Sequence, residues 1–284
     1  LGMLIPPSVL LIVWGIITED SIGKLFVAGV IPGILLAILF ASYNFIKATM
    51  DPSIAPEPDK VGNVSKLTKT EVYSGFSIIA LIFLVLGGIW GGIFTATEAA
   101  GMGAIASFII ALFKGMKLKG VVESIIDAGK TSAPIMILLI TAGMYSRFLS
   151  LSDINTIIID AISSVGMNQF AVLLMMVVIW LVLGMLLDSI SIILLTVPLF
   201  IHLVPDVNPY AFAIFGILAI EAGLLTPPFG LIVYTVKGVL TGSNDDVSLG
   251  TIFKGSIPYW IMMLVIMSLV YLFPELASWP TKFV

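Results

Sequence analysis

Long runs of uncharged, mostly apolar residues make up most of the chain, and single charged residues often separate them. About 20 consecutive apolar residues cross the hydrocarbon core of a membrane as a helix. The uncharged runs cover residues 25–46, 72–97, 99–113, 131–146, 161–187, 189–205, 207–220, 222–236 and 255–274. This pattern predicts an all-α, polytopic membrane protein.

Three of the later runs are too short to be simple membrane spans. They are bounded by lone acids within apolar sequence, and these acids are Asp188, Asp206 and Glu221. Irregular backbone at membrane depth is tolerated only where protein buries it or water reaches it. We therefore predict a re-entrant helical hairpin over residues 169–205 and a broken helix over residues 207–240.

Composition excludes most functions of soluble proteins. Lys and Arg number 13 and Asp and Glu number 17, so charged residues make up 11% of the 284 residues, against about 25% in a typical soluble domain. So few charges leave no basic surface for nucleic acid. The chain has no cysteine and one histidine, His202, and its scattered acids form no catalytic constellation. We expect that it is not an enzyme.

The basic residues predict an orientation. A hydrophilic linker over residues 48–73 and a basic loop over residues 114–120 flank two predicted spans, so both lie on one side of the membrane. The positive-inside rule makes that side cytoplasmic. Ten Lys and Arg residues then lie inside, and three lie outside: Lys24, Arg147 and Lys282. The same threading places the C-terminus on the outer side.

Two segments of the chain resemble each other. Residues 2–10 (GMLIPPSVL) match residues 223–231 (GLLTPPFGL) at the glycine, one leucine, both prolines and the last leucine. Further matches pair residues 19–20 with 245–246, and 29–32 with 255–258. The predicted topology runs the two copies in opposite directions, which is the inverted-repeat plan of secondary transporters.

The repeat predicts three parts of the chain. Residues 1–47 form the end of the first repeat, residues 48–73 form a cytoplasmic linker, and residues 74–284 form the second repeat. The second repeat contains the predicted hairpin and the predicted broken helix.

Each copy of the repeat carries a Pro-Pro pair. Proline lacks the N–H that would bond the carbonyl four residues earlier, so Pro6 frees the carbonyl of Gly2 and Pro227 frees that of Gly223. A proline also disfavours the helical backbone conformation at the residue that precedes it. Unwound turns are therefore expected at Ile5 and Thr226. Freed carbonyls at membrane depth could coordinate a sodium ion, which takes oxygen ligands. The alternative is a simple proline kink in which a neighbouring Ser or Thr hydroxyl bonds the freed carbonyl.

The predicted hairpin turns at Gly184-Met-Leu-Leu-Asp188-Ser189-Ile-Ser191. An acid at membrane depth is a functional candidate by default, and Asp188 is assigned to ion or substrate handling. It is also a candidate N-cap of the second arm, and the two roles are compatible. Thr95 and Glu98 have the spacing of a capping box. The roles of Glu221 and Arg147 stay open.

Five segments in this order resemble the large membrane subunit of tripartite ATP-independent periplasmic (TRAP) transporters: LGMLIPPSVLLIVWG, EDSIGKLFVAGVIPG, GIWGGIFTATEAAG, GMLLDS and EAGLLTPPFGLIVY. The resemblance implies an inverted-repeat, elevator-type transporter in the lipid of a bacterial inner membrane, with its C-terminus in the periplasm. It implies sodium-driven symport without ATP. It also implies a small membrane subunit and a periplasmic substrate-binding protein as partners. The expected substrate is a small carboxylate such as a C4-dicarboxylate or sialic acid.

The resemblance extends to about the C-terminal two-thirds of such a subunit. We expect the first helices and most of a first hairpin to precede Leu1. We also expect the chain alone to be inactive, because half of the transport site would be missing.

The resemblance also implies which backbone groups hold sodium. One site is implied at Gly2, Ile5 and Pro7. A second is implied at Gly223, Thr226 and Phe229, together with Gly184 near the hairpin tip. Substrate carboxylates would bind at helix N-termini, whose free N–H groups favour anions. The candidate substrate-binding residues are Ser8, Asp188, Ser189, Ser191 and Thr226.

Three alternatives compete with this interpretation. The first is a stand-alone, ion-coupled anion symporter of a related family, which needs no binding protein. The second is an intramembrane enzyme, which the lack of a catalytic constellation disfavours. The third is a structural scaffold, which would gain nothing from broken helices in lipid.

Overall fold

A computed structural model describes residues 1–54, 68–240 and 247–284. Within these ranges the chain is helical. The α-helices there are α1 Val9–Thr18, α2 Ile22–Met50, α3 Lys69–Trp90, α4 Ala96–Phe113, α5 Leu118–Leu151, α6 Ile154–Ser164, α7 Gln169–Gly184, α8 Ser189–Phe200, α9 Pro209–Gly223, α10 Leu231–Leu240, α11 Leu249–Leu272 and α12 Glu275–Ser278. Short 3₁₀ helices cover Pro52–Ile54, Ile201–Leu203 and Pro280–Phe283.

Within the described ranges, five helices are long and apolar enough to cross a membrane. They lie at Ile22–Met50, Glu71–Trp90, Ala96–Phe113, Leu118–Leu151 and Leu249–Leu272. The helices that contain the predicted hairpin and broken helix are shorter, at 10–16 residues. The all-α, polytopic membrane fold predicted from the sequence is confirmed.

Two predicted runs have different bounds in the structure. The run 131–146 lies inside α5, a continuous helix of 34 residues. At 1.5 Å per residue this helix is about 51 Å long, which exceeds the hydrocarbon core of a membrane, about 30 Å thick. The run 161–187 is interrupted after α6. There Gly166 adopts a left-handed backbone conformation, with a φ of +68°. The Asn168 side chain then accepts a 2.8 Å hydrogen bond from the Ala171 N–H, which starts α7.

The described chain divides into two compact units. The first contains Leu1–Leu36 and Lys130–Lys282, and the second contains Ala37–Gly129 with Phe283–Val284. Both proline-broken segments and the hairpin belong to the first unit. Parts of the predicted linker and of the predicted repeat, residues 55–67 and 241–246, lie outside the described residues.

Helix α9 forms the centre of the first unit. Twelve of its 15 residues are buried, and it packs against α7, α11, α8, α1 and α12. A helix that is apolar on all sides belongs in an interior. Helix α9 is therefore an interior helix of the first unit.

Aromatic side chains fill the space beside α9. Trp14 and Trp180 are fully buried, and the Trp14 ring meets Phe212 edge to face, with centroids 5.6 Å apart. A Cβ atom on Gly216 would lie 2.5 Å from the Trp14 ring, so the glycine makes room for the indole. The Trp180 Nε1 donates to Thr196 Oγ1 at 2.8 Å, which ties the two arms of the hairpin together.

The second unit contains a helical hairpin of α3 and α4, which pack against each other. The turn between them closes where the N–H groups of Ile93 and Phe94 both donate to the Gly88 carbonyl, at 2.9 and 3.0 Å. The Thr95–Glu98 capping box predicted from the sequence is confirmed, and it starts α4. Thr68 and Glu71 form a second capping box at the start of α3.

Candidate ion and substrate site

The first broken segment covers residues 1–8, which precede α1 without forming a helix. The N–H groups of Leu4 and Ile5 both donate to the Leu1 carbonyl, at 3.0 and 2.9 Å. Ser8 is 1% exposed; its hydroxyl donates to the Met3 carbonyl and accepts from the Leu11 N–H at 3.4 Å. Ser8 therefore caps α1 and also fastens the broken segment to it.

Helix α2 holds the first broken segment by close backbone contact. A Cβ atom on Gly29 would lie 2.5 Å from the Leu4 carbonyl oxygen, and one on Gly33 would lie 2.7 Å from Ile5 Cγ1. Only glycine fits at such distances. The predicted unwound turn at Ile5 is confirmed, and its position is set by these two glycines.

The second broken segment covers residues 224–230, between the end of α9 and the start of α10. The Thr226 N–H donates to the Gly223 carbonyl at 3.0 Å, and the Thr226 hydroxyl donates to the Ala222 carbonyl at 2.7 Å. Thr226 therefore lies in an unwound turn, as predicted. The expectation that Pro227 strands the Gly223 carbonyl is wrong, because this tight turn supplies a donor three residues later.

Other carbonyls of the two broken segments have no donor. Among the residues that the structure describes, no hydrogen bond reaches the backbone oxygens of Gly2, Ile5, Pro6, Pro7, Thr226, Pro227, Pro228 or Phe229. Both Pro-Pro peptide bonds, Pro6-Pro7 and Pro227-Pro228, are cis. The two segments thus present similar sets of backbone oxygens.

The hairpin predicted over residues 169–205 is formed by α7 and α8, with a four-residue turn at residues 185–188. Asp188 is exposed and caps α8, since its carboxylate accepts from the Ser191 N–H at 3.0 Å and from the Ser191 hydroxyl at 2.5 Å. The predicted role of Asp188 as the N-cap of α8 is therefore confirmed. A role in ion or substrate handling stays a prediction.

The hairpin turn meets the end of α9 at two points. A Cβ atom on Gly184 would lie 2.7 Å from the Cα atom of Gly223, so the two backbones are in direct contact. Across the turn, the Ser189 hydroxyl donates to Glu221 Oε1 at 2.6 Å.

The structure thus brings together some of the predicted residues. Gly184, Ser189 and Gly223 meet at one end of α9, and Thr226 follows in the adjoining turn. Phe229 lies further along that turn, with its side chain 53% exposed. Glu221 was not assigned to the site from the sequence, and the signal for it was an acid within an otherwise apolar helix.

Oxygen atoms of the backbone and of hydroxyl groups dominate this region. Within the described ranges, no three His, Asp or Glu side chains gather in a way that could hold a metal ion. A cation at either broken segment would therefore be coordinated mainly by carbonyl and hydroxyl oxygens, which suit a hard cation better than a transition metal.

An all-helical membrane fold with a broken helix beside a hairpin tip is typical of secondary transporters. This is the class of protein that the fold and site define. Over residues 1–276 the chain matches the family described as "Tripartite ATP-independent periplasmic transporter, DctM component", and it belongs to this family. The family is one of transport proteins, so the expectation that the chain is not an enzyme is confirmed.

Curated relatives carry the same family name and different substrates. The chain is 29% identical over 281 residues to the C4-dicarboxylate TRAP transporter large permease protein DctM of Pseudomonas aeruginosa, covering 98% of the chain and 64% of that protein. It is 30% identical to the sialic acid TRAP transporter permease protein SiaT of Haemophilus influenzae, covering 98% of the chain and 44% of that protein. It is 28% identical to the ectoine/5-hydroxyectoine TRAP transporter large permease protein UehC of Ruegeria pomeroyi, covering 98% and 64%. The chain therefore spans less than two-thirds of the length of each of these relatives.

Proposed function

We propose that this chain is part of the membrane subunit of a sodium-coupled secondary transporter that imports a small organic acid. A periplasmic substrate-binding protein delivers the substrate, and a small membrane subunit completes the complex. Transport follows an elevator mechanism in the bacterial inner membrane. The linker lies in the cytoplasm and the C-terminus in the periplasm.

The observation that carries this proposal is the packing of the hairpin end onto the second broken segment, where Gly184 contacts Gly223. Carbonyls that no donor reaches lie in the same segment, at Thr226 and Phe229. Unwound carbonyls and half-helix ends are where transporters coordinate sodium. The backbone of Gly223, Thr226 and Phe229 with Gly184 would form one site, and Gly2, Ile5 and Pro7 would contribute to another.

Helix N-termini support an acidic substrate. Free N–H groups and the helix dipole favour anions at the start of a helix. Helix α1 starts after Ser8, and α8 starts after Asp188 with Ser189 and Ser191 in its first turn. A bound sodium ion would separate the Asp188 carboxylate from the carboxylate of the substrate. Relatives named for C4-dicarboxylate and for sialic acid agree with this class.

An elevator mechanism is supported by the placement of the working parts. Both broken segments and the hairpin belong to one compact unit, built around α9. In this mechanism that unit carries the bound substrate and ions across the membrane. The second unit provides part of the stationary framework.

The test is uptake by the complete subunit, reconstituted in liposomes with its small subunit. The labelled probes are succinate and sialic acid, each measured with and without an inward sodium gradient and with and without the cognate binding protein. We expect one acid to accumulate only when both sodium and the binding protein are present. Uptake that ignores sodium would contradict sodium coupling. Sodium-driven uptake that needs no binding protein would favour the stand-alone symporter instead.

A further inference from the structure

Glu221 is an acid in an apolar helix, and its side chain has a hydrogen-bond partner. Twelve of the 15 residues of α9 are buried, and the one acid among the 15 is Glu221, which is half-buried. Its Oε1 atom accepts a 2.6 Å hydrogen bond from the Ser189 hydroxyl. Ser189 is 8% exposed, so the bond is largely shielded from solvent.

The bond between Ser189 and Glu221 lies where the hairpin turn meets the end of α9. Ser189 is the first residue of α8, directly after the turn at residues 185–188, and Gly184 is the last residue of α7 before that turn. Gly184 contacts Gly223, and Ser189 bonds Glu221, so both ends of the turn are fixed to the last turn of α9. The next residues after α9 carry the carbonyls at Thr226 and beyond.

We propose that Glu221 is a positioning residue that holds the hairpin tip against the second broken segment through Ser189. The bond sets the distance between the tip and the carbonyls to which sodium binding was assigned, so this inference rests on the proposed function. It also reassigns Ser189. A serine hydroxyl has one proton to donate, and in Ser189 that proton is directed at Glu221 and away from a substrate.

The proposal predicts a particular kinetic effect. A buried group that loses its hydrogen-bond partner is left unsatisfied, so loss of this bond raises the sodium concentration for half-maximal uptake by about 10-fold. The effect appears in Ser189→Ala and in Glu221→Leu, while the substrate KM at saturating sodium stays within about 2-fold. Glu221→Gln keeps an oxygen that accepts the hydrogen bond, and it retains most of the sodium affinity.

The double variant Ser189→Ala with Glu221→Leu is no worse than either single variant, because both changes break the same bond. Additive effects would overturn the proposal, and so would a Glu221→Gln variant as impaired as Glu221→Leu. A change confined to the substrate KM would return Ser189 to substrate binding. The matched control is Ser268→Ala, since the Ser268 hydroxyl donates only to a carbonyl of its own helix, that of Leu264.

A second measurement does not depend on sodium coupling. Amide hydrogen exchange of residues 185–191 is followed in the purified full-length subunit without substrate. Ser189→Ala and Glu221→Leu accelerate exchange of this segment by about 10-fold, in line with the loss of a hydrogen bond that is largely shielded from solvent. Ser268→Ala leaves the exchange unchanged. Unchanged exchange in all variants overturns the inference, whatever the uptake assay shows. If wild-type uptake ignores sodium while exchange responds as expected, the proposed function fails and the positioning role of Glu221 survives.

Discussion

Gly184 and Gly223 touch backbone to backbone, although 38 residues separate them along the chain. Gly184 ends the first arm of the hairpin and Gly223 ends the central helix α9. A side chain on either residue would have to occupy space that backbone atoms already fill. This contact joins the hairpin tip to the second broken segment, and the proposed sodium site depends on it.

The Gly184→Ala substitution is expected to damage this junction. Its new Cβ atom would lie 2.7 Å from Gly223 Cα, and overpacking of this kind costs about 1–3 kcal/mol of stability. The expected result is a lower thermal unfolding temperature in detergent and weaker sodium dependence of uptake. Gly238→Ala is the matched control, because a Cβ atom there meets nothing within 4 Å. Equal unfolding temperatures for the two variants would contradict the contact.

Ser8→Ala should weaken the first broken segment. Loss of an N-cap costs about 1 kcal/mol, and Ser8 also donates to the Met3 carbonyl. Asn168→Ala removes an N-cap from α7, at an exposed position on the other end of the hairpin arm. Both variants should unfold at lower temperature, and only Ser8→Ala should reduce the apparent sodium affinity of uptake. Loss of sodium affinity in both would show that capping alone explains the effect.

Asp188→Asn separates the capping role of Asp188 from its charge. Asparagine caps helices about as well as aspartate, so thermal stability should stay close to wild type. Sodium-driven uptake should fall, because the negative charge at the hairpin tip is gone. Asp188→Ala should lose both stability and uptake. Wild-type uptake by Asp188→Asn would remove Asp188 from ion and substrate handling.

Thr196→Val tests the link between the two hairpin arms. The substitution removes the acceptor of the Trp180 Nε1 proton in a fully buried position, and an unsatisfied buried donor costs about 1–3 kcal/mol. Thermal unfolding in detergent should show the loss. Thr235→Val, which changes an exposed threonine that bonds its own helix, should have little effect. A similar drop in unfolding temperature in both variants would mean that the Trp180 hydrogen bond contributes no more to stability than an exposed threonine does.

The sequence predicted the features that depend on local chemistry. The Pro-Pro pairs predicted unwound turns at Ile5 and Thr226, and the spacing of Thr95 and Glu98 predicted a capping box. The structure confirms all three features. The lone acid Asp188 within apolar sequence marked the turn of the hairpin. Each of these signals lies within a few residues of the feature it predicts.

The features that sequence analysis missed depend on contacts between distant segments. The bond between Ser189 and Glu221 joins residues 32 positions apart, and no local pattern encodes such a pairing. The close approach of Gly29 to the Leu4 carbonyl is of the same kind. The turn that satisfies the Gly223 carbonyl was missed because the proline rule considers only the donor that proline removes.

The most direct test of the account is the sodium dependence of uptake by the complete, reconstituted transporter carrying Thr226→Val. The Thr226 hydroxyl bonds the Ala222 carbonyl within the second broken segment, while the control variant Thr235→Val changes a threonine with the same kind of bond in α10. The account predicts that Thr226→Val needs a much higher sodium concentration for half-maximal uptake and that Thr235→Val behaves like wild type. Identical sodium curves for all three proteins would contradict a sodium site at the second broken segment.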